Sequence, residues 1–125
     1  MNAQQQAQTA YSSSIMPIRT ARGAEYEVLG KITRRVRDAA LVGQSGFPAL
    51  AEALHDNRRF WTLLALDVSS PGNELPDELR ARILYLNEFT QLHTSKILAK
   101  KASAKVLIEI NTAVMRGLRG QVAKS

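Results

Sequence analysis

Few side chains in this sequence belong to the types that carry most catalytic and metal chemistry. Its 125 residues include two histidines, His55 and His93, and no cysteine. An ordinary metal site needs three or four converging His, Cys, Asp or Glu ligands. No HxxxH pair and no thiolate are present to begin such a site, so we expect neither a bound metal nor a cofactor.

The other routes to catalysis also lack a recognisable motif. A nucleophilic Ser or Thr needs an adjacent base and oxyanion donors, yet neither GxSxG, SxxK nor a glycine-rich phosphate loop occurs. Asp77 and Glu78 fall at a predicted helix start, where carboxylates interact favourably with the helix dipole. His93 falls on an apolar helical stripe, which is typical of a core or interface residue, and His55 is predicted to be exposed. We therefore expect the chain not to be an enzyme.

Positive charge is the most pronounced feature of the composition. Lys and Arg outnumber Asp and Glu by 17 to 11, which gives a formal charge of +6 and an isoelectric point near 10.1. The basic residues concentrate in residues 19–37 and 96–124, whereas five acids lie within residues 67–88. This distribution predicts a polarised surface that can attract nucleic acid, anionic lipid or an acidic protein.

One predicted helix carries a dense basic cluster. It consists of Lys31, Arg34, Arg35 and Arg37. Such cations can neutralise the phosphates of RNA or DNA, although a solvated helix face shows the same pattern. Aromatic residues, which stack on the bases of single-stranded RNA, make up 6% of the chain and fall largely on predicted core stripes. The electrostatic part of a nucleic-acid signal is therefore present without the base-stacking part.

Apolar residues recur at helical intervals over most of the chain. The first clear stripe predicts a helix over residues 22–42, capped by Thr20. Gly43 and Pro48 mark a turn, after which the next stripe predicts a helix over residues 48–68. Both helices have one apolar side and one polar side, as expected of helices that pack on one face.

Two further helices follow a polar loop at residues 69–73. The first is predicted to begin with Pro76 in its first turn. Its apolar stripe ends at the lysine pair Lys100-Lys101. Ser103 is predicted to cap the last helix, and Gly117 and Gly120 are predicted to stop it.

Some positions on these stripes are predicted to be interior. Asn57 interrupts an apolar stripe, so either it is a buried polar group with a specific partner or the stripe bends around it. Five large side chains are predicted to fill the core or a partner groove: Trp61, Leu79, Ile83, Ile110 and Leu118.

The helical pattern is continuous, and no stretch alternates with the period of a strand. We therefore predict an all-α fold, a compact single-domain bundle of four to five helices. Residues 1–16 are predicted to be weakly ordered or a short helix that Pro17 ends, residues 17–120 the helical domain, and residues 121–125 a polar tail. The first residues lack the features of a signal peptide and no apolar run could span a bilayer, so we expect a cytoplasmic protein without a membrane partner.

Several short motifs occur along the chain in a characteristic order. They are Glu25-Tyr26, Asn57-Arg58-Arg59-Phe60-Trp61-Thr62, Asp67, Asn73-Glu74-Leu75-Pro76 and the run Ile108-Glu109-Ile110-Asn111-Thr112-Ala113-Val114-Met115-Arg116-Gly117-Leu118. Together they resemble the flagellar biosynthesis regulator FlaF family, and the resemblance spans about residues 10–120. Each motif alone is short, but their combination is specific.

The resemblance implies a non-catalytic protein of bacterial flagellum assembly. It implies a chaperone or adaptor that contacts flagellin and promotes flagellin synthesis or secretion, together with or against the regulator FlbT. Polar residues at positions that match the family are the partner-binding candidates: Glu25, Asn57, Arg58, Asp67 and Asn111. Capping or core hydrogen bonding is the alternative role for each of them.

Two other functions stay open beside flagellin binding. One is direct binding to flagellin messenger RNA through the basic cluster of Lys31, Arg34, Arg35 and Arg37. The other is a structural role in a complex with another regulator, without contact to flagellin or RNA.

Overall fold

Four α-helices make up nearly all of the described part of the protein, which is residues 15–124 of a computed structural model, with side chains described for residues 23–120. They are α1 (Ile15–Val42), α2 (Phe47–Val68), α3 (Asp77–Leu98) and α4 (Lys105–Lys124), with a short 3₁₀ turn at Gln44–Gly46. No strand occurs between residues 15 and 124, and the predicted all-α bundle is confirmed.

The turn between α1 and α2 is tight because two glycines shape it. Gly43 has a φ of 90°, a conformation that side-chain-bearing residues rarely adopt. A Cβ at Gly46 would lie 2.5 Å from the carbonyl oxygen of Ala39, so a larger residue would force the two helices apart. Pro48 occupies the first turn of α2, where its missing N–H breaks no intrahelical hydrogen bond.

The other two connections also follow signals in the sequence. Asn73 Oδ1 accepts a hydrogen bond of 3.0 Å from the N–H of Leu75, which closes the loop between α2 and α3. Asp77 lies in the first turn of α3, next to the positive end of the helix dipole. Ser103 Oγ accepts a hydrogen bond of 3.0 Å from the N–H of Lys105, so the predicted cap of α4 is confirmed.

The start of α1 differs from the prediction. We expected Pro17 to end one segment and Thr20 to cap the next, but α1 begins at Ile15 and runs through both residues. A proline in the first turn of a helix breaks no hydrogen bond, because the first N–H groups have no intrahelical partner. The weak first helix predicted before this point falls on residues 1–14, which lie outside the described residues.

The end of α4 also differs from the prediction. Gly117 and Gly120 do not stop the helix, which continues to Lys124 and includes most of the segment predicted as a tail. A helical glycine costs only about 1 kcal/mol, and it ends a helix only where it takes the left-handed conformation. At Gly117 an added Cβ would meet Leu79 at 3.5 Å, which is an ordinary van der Waals contact.

The four helices form an up-down-up-down bundle with two apolar clusters. α1 packs against α2 and α4, α2 packs against α3, and α3 contacts α4 more lightly. The first cluster, called the Trp61 cluster, contains Leu29, Trp61, Leu64, Val68, Leu75, Ile83, Val114 and Leu118. The second, called the Val36 cluster, contains Ile32, Val36, Ala53, Leu54, Ile97, Ala104 and Leu107. Because each cluster joins early residues of one helix to late residues of the next, neighbouring helices are antiparallel.

The predicted core residues lie in or against the first of these clusters. Trp61, Ile83 and Leu118 are fully buried in it. Leu79 and Ile110 are partly buried and pack against it. The helical stripes therefore identified the inward side of α2, α3 and α4.

Candidate functional site: a buried polar layer and the surfaces around it

A layer of buried polar side chains separates the two apolar clusters. Every helix contributes to it, and each member is at most 3% exposed. Its members are Thr33 of α1, Asn57 of α2, Thr90 and Thr94 of α3, and Asn111 of α4. In α2, α3 and α4 they lie between the residues of the Trp61 cluster and those of the Val36 cluster, and in α1 Thr33 follows Leu29 of the Trp61 cluster by one helical turn.

Asn111 is the centre of this layer. Its Nδ2 group donates hydrogen bonds to Asn57 Oδ1 at 2.9 Å and to Thr33 Oγ1 at 3.1 Å. Its Oδ1 atom accepts a hydrogen bond of 3.0 Å from Trp61 Nε1. The side-chain amide therefore ties α4 to both α1 and α2, and any sliding of these helices would leave buried polar atoms unpaired.

The partner-binding candidates Asn57 and Asn111 are thus interior residues. Asn57 is a buried polar group with a specific partner, which was one of the two alternatives drawn from its stripe. Neither side chain reaches the surface, so in the closed bundle both act on helix packing and not on a partner.

Helix α3 takes little part in the hydrogen bonds of the layer. Thr94 Oγ1 donates to the carbonyl of Thr90 in its own helix, at 2.6 Å. The hydroxyl group of Thr90 and the Nδ2 group of Asn57 are both buried. Neither group has a hydrogen-bond partner. Two of the four buried residues of α3 are threonines, so this helix has less apolar anchoring than its neighbours.

Arg58 joins α2 to α3 at the surface. Its Nη2 group donates hydrogen bonds to the carbonyl of Gln91 at 2.9 Å and to Ser95 Oγ at 2.5 Å. Gln91 in turn donates from Nε2 to the carbonyl of Arg58 and to Thr62 Oγ1, both at 3.3 Å. This partner-binding candidate is therefore a clamp between two helices, with part of its side chain still accessible.

An open groove lies along this clamp. It has a volume of about 360 Å³ and is lined by His55, Arg58, Arg59, Thr62, Leu63 and Gln91. On both sides of the α2–α3 seam, large apolar side chains remain in solvent, with exposures of 39% to 71%. We call these residues the α2–α3 face: Leu63, Leu66, Leu84, Tyr85 and Leu92.

The sequence indicates this surface through apolar residues that lie outside the predicted inward stripes. Leu63 and Leu66 lie off the inward stripe of α2, which runs through Asn57, Trp61 and Leu64. The apolar members of the face on α3 are likewise out of phase with its buried positions. Apolar residues outside a core stripe are the pattern of a helix with a second apolar contact.

The remaining two partner-binding candidates lie apart from this groove. Asp67 is exposed near the end of α2, where its carbonyl and carboxylate accept hydrogen bonds from Asn73 Nδ2 at 3.1 and 3.2 Å. Glu25 is half-buried in the first half of α1. The five candidates therefore do not converge on one site.

The basic cluster on α1 is exposed, as its sequence pattern indicates. Lys31, Arg34, Arg35 and Arg37 all lie in solvent. Arg35 Nη1 forms an ion pair of 2.8 Å with Asp56 Oδ2 on α2, and the two side chains are 45% and 40% exposed. Part of the positive charge is therefore neutralised within the protein.

Between residues 15 and 124 no helix is long and apolar enough to cross a membrane. Over the same part of the chain, no group of three or more His, Asp or Glu side chains could hold a metal ion.

The described residues 15–124 fold as a small up-and-down four-helix bundle organised around a polar layer. The family model of the flagellar protein FlaF matches residues 7–118, which is nearly the whole chain. The chain therefore belongs to the FlaF family and is a flagellar protein. No curated protein and no solved structure matches it.

Proposed function

We propose that this flagellar protein binds flagellin as a chaperone or adaptor and so promotes flagellin synthesis or secretion. The proposal includes a cytoplasmic, non-catalytic role, exercised alone or together with the regulator FlbT. Membership of the FlaF family supports the connection to the flagellum. The observation that carries the binding proposal is the α2–α3 face.

The α2–α3 face has the properties of a site for an amphipathic helix. A helix that docks in a groove buries apolar anchors at intervals of three and four residues. Leu63 and Leu66 are spaced in this way on α2, and Leu63 lines the groove, while Leu84 is an exposed leucine of α3. Arg58 and Arg59 at the groove wall provide polar contacts at its rim.

A titration of the purified protein with flagellin tests the proposal. We expect saturable binding that changes little between low and moderate salt, because apolar contacts dominate it. The variant Leu63→Glu, at a groove-lining site that is 59% exposed, should weaken binding at least tenfold, because it places a charge in an apolar contact. The matched control is Leu41→Glu, at a site on α1 that is 79% exposed and outside the face.

The two variants separate a surface effect from a general one. Both changes replace an exposed leucine with the same charge, so equal loss of binding would reject the α2–α3 face as the site. Absence of flagellin binding by the unmodified protein at any salt concentration would reject the function itself.

A second candidate function is binding to flagellin messenger RNA. It is favoured by the four exposed cations on α1, which can neutralise phosphates. It is disfavoured by the burial of Trp61, which cannot stack on bases, and by the ion pair of Arg35 with Asp56. RNA binding that falls steeply with salt, and that Arg34→Gln weakens, in a protein that does not bind flagellin would favour this candidate.

A further inference from the structure

One end of the bundle is strongly basic and partly apolar. It consists of the end of α1, the start of α2, the end of α3 and the start of α4. Residues 39–51 and 94–108, which build this end, contain four lysines and no acidic residue. The nearest acids are at its border, at Asp38, Glu52 and Glu109.

The lysines at this end are all exposed, and the same end carries the most exposed leucine of the described side chains. We call this group the lysine tip: Lys96, Lys100, Lys101 and Lys105, with Leu41 and Val42. Leu41 is 79% exposed and Val42 is 62% exposed. Lys100 Nζ lies 4.7 Å from the centre of the Phe47 ring, which joins the end of α3 to the start of α2.

The backbone at the end of α3 is unfavourable for the residues it carries. The N–H of Lys100 donates to the carbonyl of Ile97 at 2.9 Å, and the N–H of Lys101 donates to that of Lys96 at 2.8 Å. These two bonds define a Schellman motif. Its left-handed position, here Lys100, is usually glycine, and the two residues joined by its outer hydrogen bond, here Lys96 and Lys101, usually make an apolar contact. Lysine occupies all three positions here, and Lys100 has a φ of 62°. The backbone geometry at the end of α3 therefore does not account for the three lysines.

We propose that the lysine tip binds an anionic lipid surface. Clustered lysines are attracted to acidic headgroups, and each one near the surface strengthens binding about fivefold. Leu41 and Val42 can enter the boundary between headgroups and acyl chains, while the flexible lysine stems keep their ammonium groups at the headgroup level.

Lipid fits this tip better than a nucleic acid does. Phosphates of RNA gain nothing from two exposed aliphatic side chains, and no exposed aromatic ring is available among the side chains of the tip for stacking on bases. This proposal concerns association with the membrane surface, whereas the sequence-based expectation of no membrane partner rested on the lack of a spanning segment. It does not depend on flagellin binding.

Flotation of the full chain with vesicles tests the proposal. We expect binding to vesicles of phosphatidylcholine with one third phosphatidylglycerol, no binding to pure phosphatidylcholine, and release by high salt. The triple variant Lys96→Gln, Lys101→Gln, Lys105→Gln should lower the partition by about 100-fold, on the order of fivefold for each charge.

Two controls make the result specific for this end of the bundle. The first is Arg82→Gln, Arg116→Gln, Arg119→Gln, which removes the same charge from exposed sites at the opposite end of the bundle and should lower the partition less than about fivefold, because those residues lie away from the tip. The second compares Leu41→Ser, Val42→Ser with Leu63→Ser, Leu66→Ser, and we expect about a tenfold loss from the first pair only.

Each of several outcomes would overturn the proposal. Equal binding to neutral and anionic vesicles would show that charge does not drive it. Equal effects of the two charge variants would assign the binding to net charge and not to the tip. Retention of flagellin leader RNA by the tip, without any vesicle binding, would replace the lipid with a nucleic acid.

Discussion

The side-chain amide of Asn111 donates a hydrogen bond of 2.9 Å to the side-chain carbonyl of Asn57 on the diagonally opposite helix of the bundle. Both residues are essentially without solvent contact. The pair can form at one relative height of α2 and α4 only, because a shift of one helical turn would place each amide in an apolar cluster. The polar layer thus fixes the register of a bundle whose apolar clusters alone would tolerate slippage.

The first prediction concerns removal of this amide. Asn111→Ala leaves the side-chain polar atoms of Asn57, Trp61 and Thr33 without their shared partner. Thr33 Oγ1 keeps its hydrogen bond to the carbonyl of Leu29, whereas Asn57 Oδ1 and Trp61 Nε1 become buried orphans. Each buried orphan costs about 1–3 kcal/mol, so we expect a loss of roughly 2–6 kcal/mol in the free energy of unfolding. Urea denaturation followed by circular dichroism measures this difference.

A double-mutant cycle provides the control for that prediction. Asn57→Leu with Asn111→Leu replaces both partners by apolar side chains, and we expect it to destabilise the bundle by less than the sum of the two single changes. Strict additivity would contradict a direct interaction between the two amides.

The second prediction separates the packing of Trp61 from its hydrogen bond. Trp61→Ala removes a fully buried ring from its cluster and should cost about 3–5 kcal/mol. Trp61→Phe keeps much of the apolar volume but leaves Asn111 Oδ1 without its donor, so about 1–3 kcal/mol should be lost. Thermal unfolding of the two variants measures both losses of stability. Equal losses for Trp61→Ala and Trp61→Phe would show that the hydrogen bond contributes as much as the ring.

Helical periodicity predicted the inward side of the bundle because burial repeats with the helix. Trp61 and Ile83 fall on stripes that only a helix would bring to one side, and both are buried. The loop signals were also local, so the turn glycines and Ser103 could be recognised from the sequence. Pro17 and Gly117 were misread because each residue is also tolerated within a helix, depending on its position and backbone conformation.

The functional surfaces were harder to predict because they depend on which helices become neighbours. Asn111 is one polar residue on an apolar stripe, and its three partners on two other helices follow only from the fold. Arg58 was a partner-binding candidate in the sequence, whereas its contact with Gln91 exists because α2 and α3 pack side by side. Lysines that are distant from the α1–α2 turn in sequence meet it only in the folded bundle, as Lys100 does over Phe47.

The third prediction uses one substitution at two positions of the polar layer, with opposite expected signs. The hydroxyl of Thr90 is buried without a hydrogen-bond partner, so Thr90→Val removes an unpaired polar atom at nearly constant shape. We expect stability to rise by about 1 kcal/mol. The hydroxyl of Thr33 accepts from Asn111, so Thr33→Val should lower stability by about 1–2 kcal/mol. Chemical denaturation of both variants checks the pair, and a loss at Thr90 as large as that at Thr33 would show that the Thr90 hydroxyl has a partner.

The last prediction connects stability to the lysine tip. Lys100 takes the left-handed conformation at the end of α3, with a φ of 62°. Glycine adopts that conformation without a Cβ clash, so Lys100→Gly should raise the free energy of unfolding by about 1 kcal/mol, less what the contact with Phe47 contributes.

The control is Lys101→Gly, which removes the same charge at a position without positive φ and should not stabilise the bundle. If both variants bind anionic vesicles about fivefold less tightly while only Lys100→Gly is more stable, the lysine is retained there for its charge and against local backbone preference. A Lys100→Gly variant that is less stable than the parent protein would instead give the contact with Phe47 the larger role.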